Sequence, residues 1–372
     1  MILRGYALWR EIPTAESRLH TEPAAWIDGT FEVREGHIYR SKSQNPADYT
    51  GWITPGLVDV HCHIGIGAAG AVDEDEMLAQ ARADRASGVL LARDCGVPVD
   101  NSVVTGRPDT LRLIRSGTHI AKPKRYIRGL SIDVEDECDL PGVMAAQAEN
   151  SDGWVKVVGD WIDRSNGADS DLQPLWSTEA LIDGVAAAHE ARARVTVHAF
   201  GRDTIDGLLE AGVDCIEHGT GMTDDHVREA VARGIAVTPT LMQVALFDEF
   251  AEQAGNKYPV YASTMRRLQA RNHDLIATLY DCGVQLLPGT DAGGYQAHGQ
   301  LPGELALWER AGISAGDIID YATWRARDFL SYPALYEGAP ADVCIYADDP
   351  RTNISAIAQP VTTMLAGRVQ PA

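Results

Sequence analysis

Residues 57–65 read LVDVHCHIG, a short apolar run that carries two histidines separated by one residue. Side chains in a β-strand alternate between its two faces, so His61 and His63 should share one face. The alternation predicts an inward set and an outward set: Leu57, Asp59, His61 and His63 inward, and Val58, Val60 and Cys62 outward. Two imidazoles at the end of a strand can chelate a divalent cation. The alternative is that the two histidines are structural and form hydrogen bonds with a loop.

Similar β-type runs recur along the chain and alternate with segments of helical period, including 180–193, 203–211 and 224–233. The eight predicted strands have their midpoints at Val60, Ala92, Leu130, Val157, Val197, Ile216, Val237 and Leu287. This alternation predicts an α/β protein with a (β/α)8 TIM barrel over residues 55–337. A doubly wound sheet competes, because residues 63–70 spell GxGxxG. However, histidines stand at the strand end before this motif, and no acidic residue on a second strand end suits the ribose.

The two ends of the chain have a different pattern, with short apolar runs broken by turn signals such as Asp28-Gly29 and Glu35-Gly36. Each end is too short to bury a core alone. We therefore expect residues 1–54 and 338–372 to combine into one small composite β domain, built as a β-sandwich beside the barrel.

Composition excludes several classes of function. The 372 residues carry 32 basic and 53 acidic side chains, which gives a net charge of −21. Such a chain lacks the basic face that nucleic acid or an anionic membrane requires. The six cysteines are dispersed and form no CxxC pair, which argues against a disulfide scaffold and favours a reducing cytoplasm. The start of the chain lacks the long apolar core of a secretory signal.

Other polar residues stand inside or at the ends of predicted strands: Lys156, His198, His218 and Asp291. Taken singly, each has an ordinary explanation, such as a salt bridge for Lys156 or a helix N-cap for Asp291. Together with His61 and His63 they make six strand-end groups with nitrogen and oxygen donors and no thiolate. That combination predicts a catalytic metal centre at the mouth of the barrel.

Most of residues 53–350 resembles the amidohydrolase superfamily, in its imidazolonepropionase-like and prolidase-like branch. The segments that carry the resemblance are PGLVDVHCHIG (55–65), WVKVVGD (154–160), VTVHAFG (195–201), GVDCIEHGTGM (212–222), VTPTL (237–241), PGTDAGG (288–294), HGQLPGELALWERAGIS (298–314) and GAPADVCIYADDP (338–350).

The resemblance implies a centre of two divalent metal ions, for which Zn²⁺ is our expectation because nitrogen and oxygen ligands suit it. By resemblance, His61, His63 and Asp291 would bind one ion, and His198 and His218 the other. Lys156 would be N-carboxylated by CO2 and would bridge both ions. A metal-bridging hydroxide would attack the substrate, with Asp291 acting as general base and then as general acid.

Five residues near the expected mouth are candidates for substrate binding: Arg128, Trp161, Arg202, Tyr295 and His298. The run SIDVEDECDL (131–140) departs from close relatives, because it places five carboxylates after the predicted third strand. We interpret it as a solvated loop. If it faced the pocket, it would favour cationic or neutral substrates.

The leading prediction is a binuclear metal-dependent amidohydrolase that cleaves a C–N bond of a small molecule, such as a dipeptide, an N-acyl amino acid or a cyclic amide. An esterase, lactonase or carbamate hydrolase with the same metal centre is the alternative within enzymes. A catalytically inactive barrel that serves as a binding or assembly module is the alternative from another class. We expect a small-molecule partner, no nucleic acid, no membrane, and a possible homo-oligomer.

Overall fold

The computed structural model describes residues 1–11 and 23–370. The parts of the expected terminal β domain that fall on 12–22 and 371–372 lie outside the described residues. Within these ranges the chain has mixed α/β content.

The described strands are β1 (Ile2–Trp9), β2 (Ala25–Arg34), β3 (His37–Ser41), β4 (Tyr49–Pro55), β5 (Leu57–Cys62), β6 (Ile66–Gly67), β7 (Gly70–Ala71), β8 (Val89–Asp94), β9 (Arg112–Arg115), β10 (His119–Ala121), β11 (Ser131–Asp133), β12 (Trp154–Val158), β13 (Asp160–Ile162), β14 (Leu172–Pro174), β15 (Arg194–Ala199), β16 (Cys215–His218), β17 (Ala236–Thr238), β18 (Val343–Tyr346), β19 (Thr362–Leu365) and β20 (Arg368–Val369). The described α-helices are α1 (Glu74–Ala86), α2 (Leu140–Glu149), α3 (Thr178–Glu190), α4 (Arg202–Ala211), α5 (Asp224–Arg233), α6 (Leu241–Val244), α7 (Phe247–Ala254), α8 (Pro259–Asp281), α9 (Leu301–Arg310), α10 (Ala315–Asp320) and α11 (Ala326–Phe329).

The central strands pair in parallel. β5 pairs with β8 and β8 with β9, while β12 lies between β10 and β15, followed by β16 and β17. Beyond β17, residues 285–292 add hydrogen bonds on both sides. Val237 N donates to Gln285 O at 3.0 Å, and Val60 N donates to Pro288 O at 2.9 Å. This segment thereby connects β17 to β5.

The eighth predicted strand is therefore an irregular segment that makes single bridges, from Leu286 to Val237 and from Ala292 to Cys62. Pro288 has no N–H to donate to a ladder. Asp291 has a backbone φ of 56°, which no regular strand residue adopts.

The third predicted strand was placed wrongly. We expected it around Leu130, but the pairing to β8 and β12 is made by β9 and β10, within residues 112–121. The segment near Leu130 forms only the short β11, which pairs with the other side of β10. Gly117, with φ 71°, interrupts residues 112–121 and hides their β pattern.

The predicted faces of β5 are also wrong for its first four residues. Val58 and Val60 pack with Trp154 and Leu287 in one buried cluster, whereas Leu57 belongs to a different, larger cluster. The pairing of β5 with β8 shifts register between Asp59 and Cys62. Such an irregularity reverses the alternation of side chains. His61 and His63 therefore reach the inward face although Asp59 does not share it.

Strands from both ends of the chain form one seven-stranded sheet, in the order β20-β19-β18-β4-β1-β2-β3. β18 extends this sheet by pairing antiparallel with β4, from Val343 opposite Pro55 to Tyr346 opposite Trp52. A sandwich needs a second sheet packed face to face, and the described terminal strands supply a single sheet. The described pairings therefore do not show a β-sandwich, which stays a prediction.

Helices that follow the central strands have clear end signals. Thr223 begins α5 with a capping box to His226, and Gly212 and Gly234 end α4 and α5 in the left-handed conformation. Each helix thus stops where the chain must turn into the next parallel strand. Across the described ranges, no helix combines the length and apolarity needed to cross a membrane.

Candidate metal centre

His61 and His63 converge on one carboxylate. Their Nε2 atoms lie 3.1 Å and 3.0 Å from Oδ1 of Asp291. Both rings come from the end of β5, and Asp291 comes from the irregular segment hydrogen-bonded beside it. One ligand atom from each of the three residues lies within 4.8 Å of the others. Three donors at this spacing can share one cation.

The outer nitrogens of these two histidines are already engaged. Nδ1 of His61 lies 2.7 Å from Oε2 of Glu217, and Nδ1 of His63 donates to the carbonyl of Gly96 at 2.9 Å. A carboxylate or carbonyl oxygen can only accept, so Nδ1 carries the proton in each ring. Nε2 is then the nitrogen of each ring that faces the centre, where it would offer its lone pair to a bound metal.

His198 and His218 form the second pair. Nδ1 of His198 lies 3.1 Å from Nε2 of His218. His218 is held from behind by Thr240, whose Oγ1 lies 2.6 Å from its Nδ1. The rings of His218 and His61 have centroids 5.1 Å apart, so the two pairs belong to one cluster.

Lys156 lies on β12 beside this cluster, with its side chain 1% exposed. Its Nζ has no hydrogen-bond partner among the described residues. An unpaired ammonium in such a place is costly. The position therefore suits a lysine that is chemically modified.

Most of the clustered imidazoles are neutral. Burial lowers the pKa of His63, His198 and His218, to about 3 for His218. For His61, burial and the charge of Lys156 act to lower the pKa, but the carboxylates of Glu217 and Asp291 prevail and raise it. The environment of His61 thus favours a positive charge between two carboxylates, which a bound cation would supply.

Asp291 is ionised. Burial alone would raise the pKa of its carboxyl group, but the charge of His61 and the hydrogen bonds with His61 and His63 hold it well below the ordinary value.

Two of the predicted ligands have strained backbones. His218 and Asp291 have φ values of 66° and 56°, a left-handed conformation that residues other than glycine rarely adopt. Such strain persists where the surrounding structure enforces it, and it is common at functional sites. It turns both side chains out of the strand direction and into the cluster.

Sequence reasoning missed the groups behind His61. Glu217 is fully buried and bonds the guanidinium of Arg93 and the hydroxyl of Thr196. The two charges lie inside different strands, β8 and β16. A charged residue inside an apolar strand was the available signal, since buried charges need partners.

His119 was also missed, because the third strand was placed elsewhere. It lies on β10, lines the same cavity, and stacks on His63 with centroids 5.0 Å apart. Its Nδ1 lies 3.2 Å from the carbonyl of Leu130 and must donate to it. Since burial keeps this ring neutral by lowering its pKa, Nε2 offers an acceptor to the cavity.

The cluster opens into a cavity of about 290 Å³. Two of the predicted substrate-binding residues, Trp161 and Tyr295, line it, together with all six predicted metal ligands. The other three lie elsewhere. Arg128 and Arg202 are exposed, and His298 bonds Asp84 with Nδ1 at 2.8 Å from Oδ2.

The acidic run also stays out of the cavity lining within the described chain. Glu137 accepts a hydrogen bond from Ser177 N at 3.1 Å, and Asp136 accepts one from Cys138 N at 3.0 Å. The interpretation of a solvated loop therefore fits the structure.

These residues fit a divalent metal centre. The donors are imidazole nitrogens and a carboxylate, with no thiolate among the six, and three of the four imidazoles have pKa values lowered by burial. The buried Nζ of Lys156, which has no hydrogen-bond partner among the described residues, also supports a metal centre. N-carboxylation would turn this side chain into an anionic ligand.

Comparison with known proteins shows the family of the chain. The amidohydrolase family matches residues 52–369. An uncharacterized protein from Mycobacterium tuberculosis is 44% identical over 353 residues, covering 95% of this chain and 90% of the relative. A solved structure of a Xaa-Pro dipeptidase with bound methionine has a TM-score of 0.80 at 18% identity, covering 100% and 99% of the two chains. The A. niger ochratoxinase has a TM-score of 0.77 at 16% identity, covering 99% and 95%. These two structural likenesses show the fold alone.

The chain therefore belongs to the amidohydrolase family, and the predicted superfamily is confirmed. It is a hydrolase that acts on carbon–nitrogen bonds. The family generally uses divalent metal ions.

Proposed function

We propose that the protein is a binuclear metal-dependent amidohydrolase of a small molecule, such as a dipeptide or an N-acyl amino acid. The observation that carries the proposal is the convergence of His61, His63 and Asp291 beside His198, His218 and the buried Lys156, in one cavity. The dipeptidase and ochratoxinase folds support it at the level of architecture.

In this proposal His61, His63 and Asp291 hold one ion, and His198 and His218 hold the other, with zinc suited to these donors. When bound, two such ions make water a stronger nucleophile and polarise a carbonyl group. Lys156 would supply a further anionic ligand once its Nζ, as the free amine, attacks CO2. A new N–C bond forms, one proton leaves, and the product is an anionic carbamate.

Asp291 moves the proton. Its ionised carboxylate accepts a proton from the attacking water and later delivers it to the departing nitrogen. One water molecule is consumed, and the products are a carboxylic acid and an amine. His119 Nε2 accepts a hydrogen bond from the substrate, and the apolar walls exclude bulk water.

The same proposal extends to the architecture. We infer that residues 55–337 form a (β/α)8 barrel, supported by the parallel pairings that lead from β5 through β17 and back through residues 285–292. Residues 1–54 with 338–372 would be the composite β domain, supported by the shared seven-stranded sheet.

The test is amine release from pooled dipeptides, N-acyl amino acids and lactams by the protein loaded with zinc and bicarbonate. We expect release by the wild type and a loss of about 10²–10⁴-fold in Asp291→Asn, the range that a proton shuttle supplies. Release by the variant at the wild-type rate would refute the role of Asp291. Hydrolysis confined to esters, lactones or carbamates would move the assignment to the alternative enzyme class.

Metal content provides a readout that does not need a substrate. Wild-type protein reconstituted with bicarbonate should hold about two ions per chain by elemental analysis, and Lys156→Met should hold fewer. Met is the matched replacement because it fills similar space without an amine. Equal metal content in the two proteins would remove Lys156 from the centre.

A further inference from the structure

The cavity beyond the histidine cluster has walls rich in aromatic rings. Tyr126 and Trp161 meet edge to face with centroids 4.9 Å apart, and Trp161 lies 5.6 Å from the ring of His198. Phe250 and Tyr295 meet at 5.1 Å near the opening, and all four line the cavity. Rings in such arrangements accept a further ring by stacking or by edge contact.

The same walls have few charged side chains that could pair with a charged substrate. Among the described lining residues, the only charged side chain outside the predicted metal ligands and the histidines is Arg164, which is exposed. The walls thus carry no carboxylate to balance a substrate cation. Moving an ammonium group into this cavity would cost its hydration without a partner in return.

Two large apolar side chains at the cavity remain open to solvent. Tyr295 is 59% exposed and Ile127 is 38% exposed, and both line the cavity. Apolar surface left exposed beside a concave site is typical of a surface that a ligand covers. A substrate ring placed here would bury it.

We propose that the substrate carries an aromatic ring adjacent to the scissile amide and no positive charge. This deepens the proposed function and rests on it. The substrate class is a neutral or anionic amide with an aryl group on its acyl side or on its amine side. Each turnover adds one water across the C–N bond and releases one carboxylic acid and one amine.

The experiment measures kcat/KM of the zinc- and bicarbonate-loaded protein on matched amides. N-benzoyl-alanine and N-acetyl-phenylalanine each add a ring to N-acetyl-alanine, on opposite sides of the bond. N-acetyl-lysine and N-acetyl-norleucine differ by one terminal amine. We expect at least one ring-bearing amide to exceed N-acetyl-alanine by about 10–100-fold, and N-acetyl-norleucine to exceed N-acetyl-lysine by at least about tenfold.

Two tyrosines provide a matched pair of variants. Tyr295→Ala removes an exposed ring at the cavity and should reduce the preference for ring-bearing amides by about tenfold. Tyr6 is 44% exposed on the seven-stranded sheet, where it stacks on Trp52. Tyr6→Ala should leave the preference unchanged. Equal effects of the two variants would overturn the assignment of the ring to this cavity.

Binding separates this inference from the proposed function. N-benzenesulfonyl-alanine and N-methanesulfonyl-alanine mimic the two acyl groups but resist hydrolysis, so calorimetry on the metal-loaded wild type reports recognition alone. If N-benzenesulfonyl-alanine binds at least about tenfold tighter than N-methanesulfonyl-alanine although no amide is cleaved, the recognition of a ring is supported and the proposed hydrolysis of amides is refuted. If amides are cleaved without any ring preference, the reaction stands and the inference is overturned. Equal binding of these two sulfonamides, together with equal binding of N-methanesulfonyl-phenylalanine and N-methanesulfonyl-alanine, also overturns it.

Discussion

The carboxylate of Glu217 shows how one side chain can fix the geometry of another without reaching the substrate. It holds Nδ1 of His61 at 2.7 Å and is itself held by Arg93 and Thr196. The charges of His61 and Arg93 keep its pKa well below the ordinary value, although burial opposes this. The ring of His61 is therefore fixed in one orientation, with Nε2 turned towards Asp291. This is the support that metal-binding histidines usually need.

Replacing only one partner of the Arg93–Glu217 pair should lower the free energy of unfolding more than replacing both partners together. Arg93→Met leaves the carboxylate of Glu217 buried with one cation fewer, and we expect a loss of about 3–5 kcal/mol in the free energy of unfolding. Glu217→Gln leaves the guanidinium unpaired and should be similarly harmful. The double variant should lose less than the sum of the two. Urea unfolding of the metal-free wild type, single variants and double variant measures these losses in the free energy of unfolding.

Additive losses in that cycle would mean that Arg93 and Glu217 stabilise the protein independently. Metal content provides a second comparison, because the loss of support behind His61 should also weaken binding by about 10–100-fold.

Among the residues of the site, the sequence alone indicated those with a recognisable spacing. It did not indicate residues that come together only through the fold. His61 and His63 are two apart on one strand, so their convergence follows from local geometry. The pairing of Arg93 with Glu217 depends on how β8 and β16 are placed across the interior, which no local pattern encodes. His119 was missed for a different reason, since its strand was misplaced.

At the scale of elements, β5 and the irregular segment beside it pack closely. A Cβ added to Gly289 would lie 2.6 Å from Cβ of His61 and 2.6 Å from Cγ2 of Thr238. Both contacts are shorter than any normal van der Waals distance. Glycine is required here because the segment that carries Asp291 must approach β5 closely.

Gly289→Ala should therefore push His61 away from Asp291. We expect about 1–3 kcal/mol of destabilisation from overpacking, together with a loss of bound metal. Gly142 is the matched control, because it lies exposed on α2 with nothing within 4 Å of an added Cβ. Gly142→Ala should stabilise the protein by about 0.5–1 kcal/mol. Thermal unfolding and elemental analysis test both variants, and a harmless Gly289→Ala would contradict the packing argument.

The loop that follows the irregular segment is tied to α1 by a buried pair. His298 and Asp84 have side chains only 5% and 2% exposed, with 2.8 Å between Nδ1 and Oδ2. Burial acts to lower the pKa of His298, but the charge and hydrogen bond of Asp84 prevail and raise it. Asp84 also accepts the N–H of Gly299 at 2.7 Å. The histidine that we expected to meet substrate thus anchors the loop instead.

This raised pKa gives a pH dependence of defined sign. The folded protein keeps the proton of His298 to higher pH than the unfolded chain does. The stabilisation is complete below the unfolded pKa of 6.5 and is lost as pH rises through the folded value. The difference in Tm between wild type and His298→Gln should therefore be largest below pH 6.5 and shrink as the pH rises above it.

His189→Gln is the control for that titration. His189 pairs with Asp214 at 2.9 Å, but its side chain is 43% exposed, so an effect below about 0.5 kcal/mol is expected. A constant difference between wild type and His298→Gln across the pH range would show that His298 contributes only through packing.

The success of prediction at the element scale depended on how regular each element is. The predicted helices 203–211 and 224–233 agree closely with Arg202–Ala211 and Asp224–Arg233, because amphipathic periodicity and a glycine directly after each helix define them. The third strand failed because a glycine divides it. The faces of β5 failed because an irregular pairing changes the register, and periodicity alone cannot reveal a register shift.

At the scale of the whole molecule, Asp342 joins parts of the chain that are far apart in sequence. It binds Arg112 of β9 through two contacts, at 2.5 Å and 3.0 Å. Its carboxylate also accepts the N–H of Ala366 at 2.7 Å, and its carbonyl accepts the N–H of Gly56 at 2.9 Å. The terminal sheet and the central parallel strands thus share one buried anchor. Such contacts should make the two parts unfold together.

We therefore expect a single calorimetric unfolding transition for the wild type. Asp342→Asn keeps the volume but leaves Arg112 without its anionic partner, and Arg112 is only 29% exposed. The loss in the free energy of unfolding should be about 2 kcal/mol or more, with the transition at lower temperature and broader.

Asp225→Asn is the matched control. Asp225 pairs with Arg228 at 2.5 Å, but its side chain is 88% exposed, and such exposed pairs contribute below about 1 kcal/mol. Two separate transitions in the wild type would show that the sheet and the parallel strands are independent. An unchanged Tm in Asp342→Asn would show that apolar packing, and not this anchor, couples them.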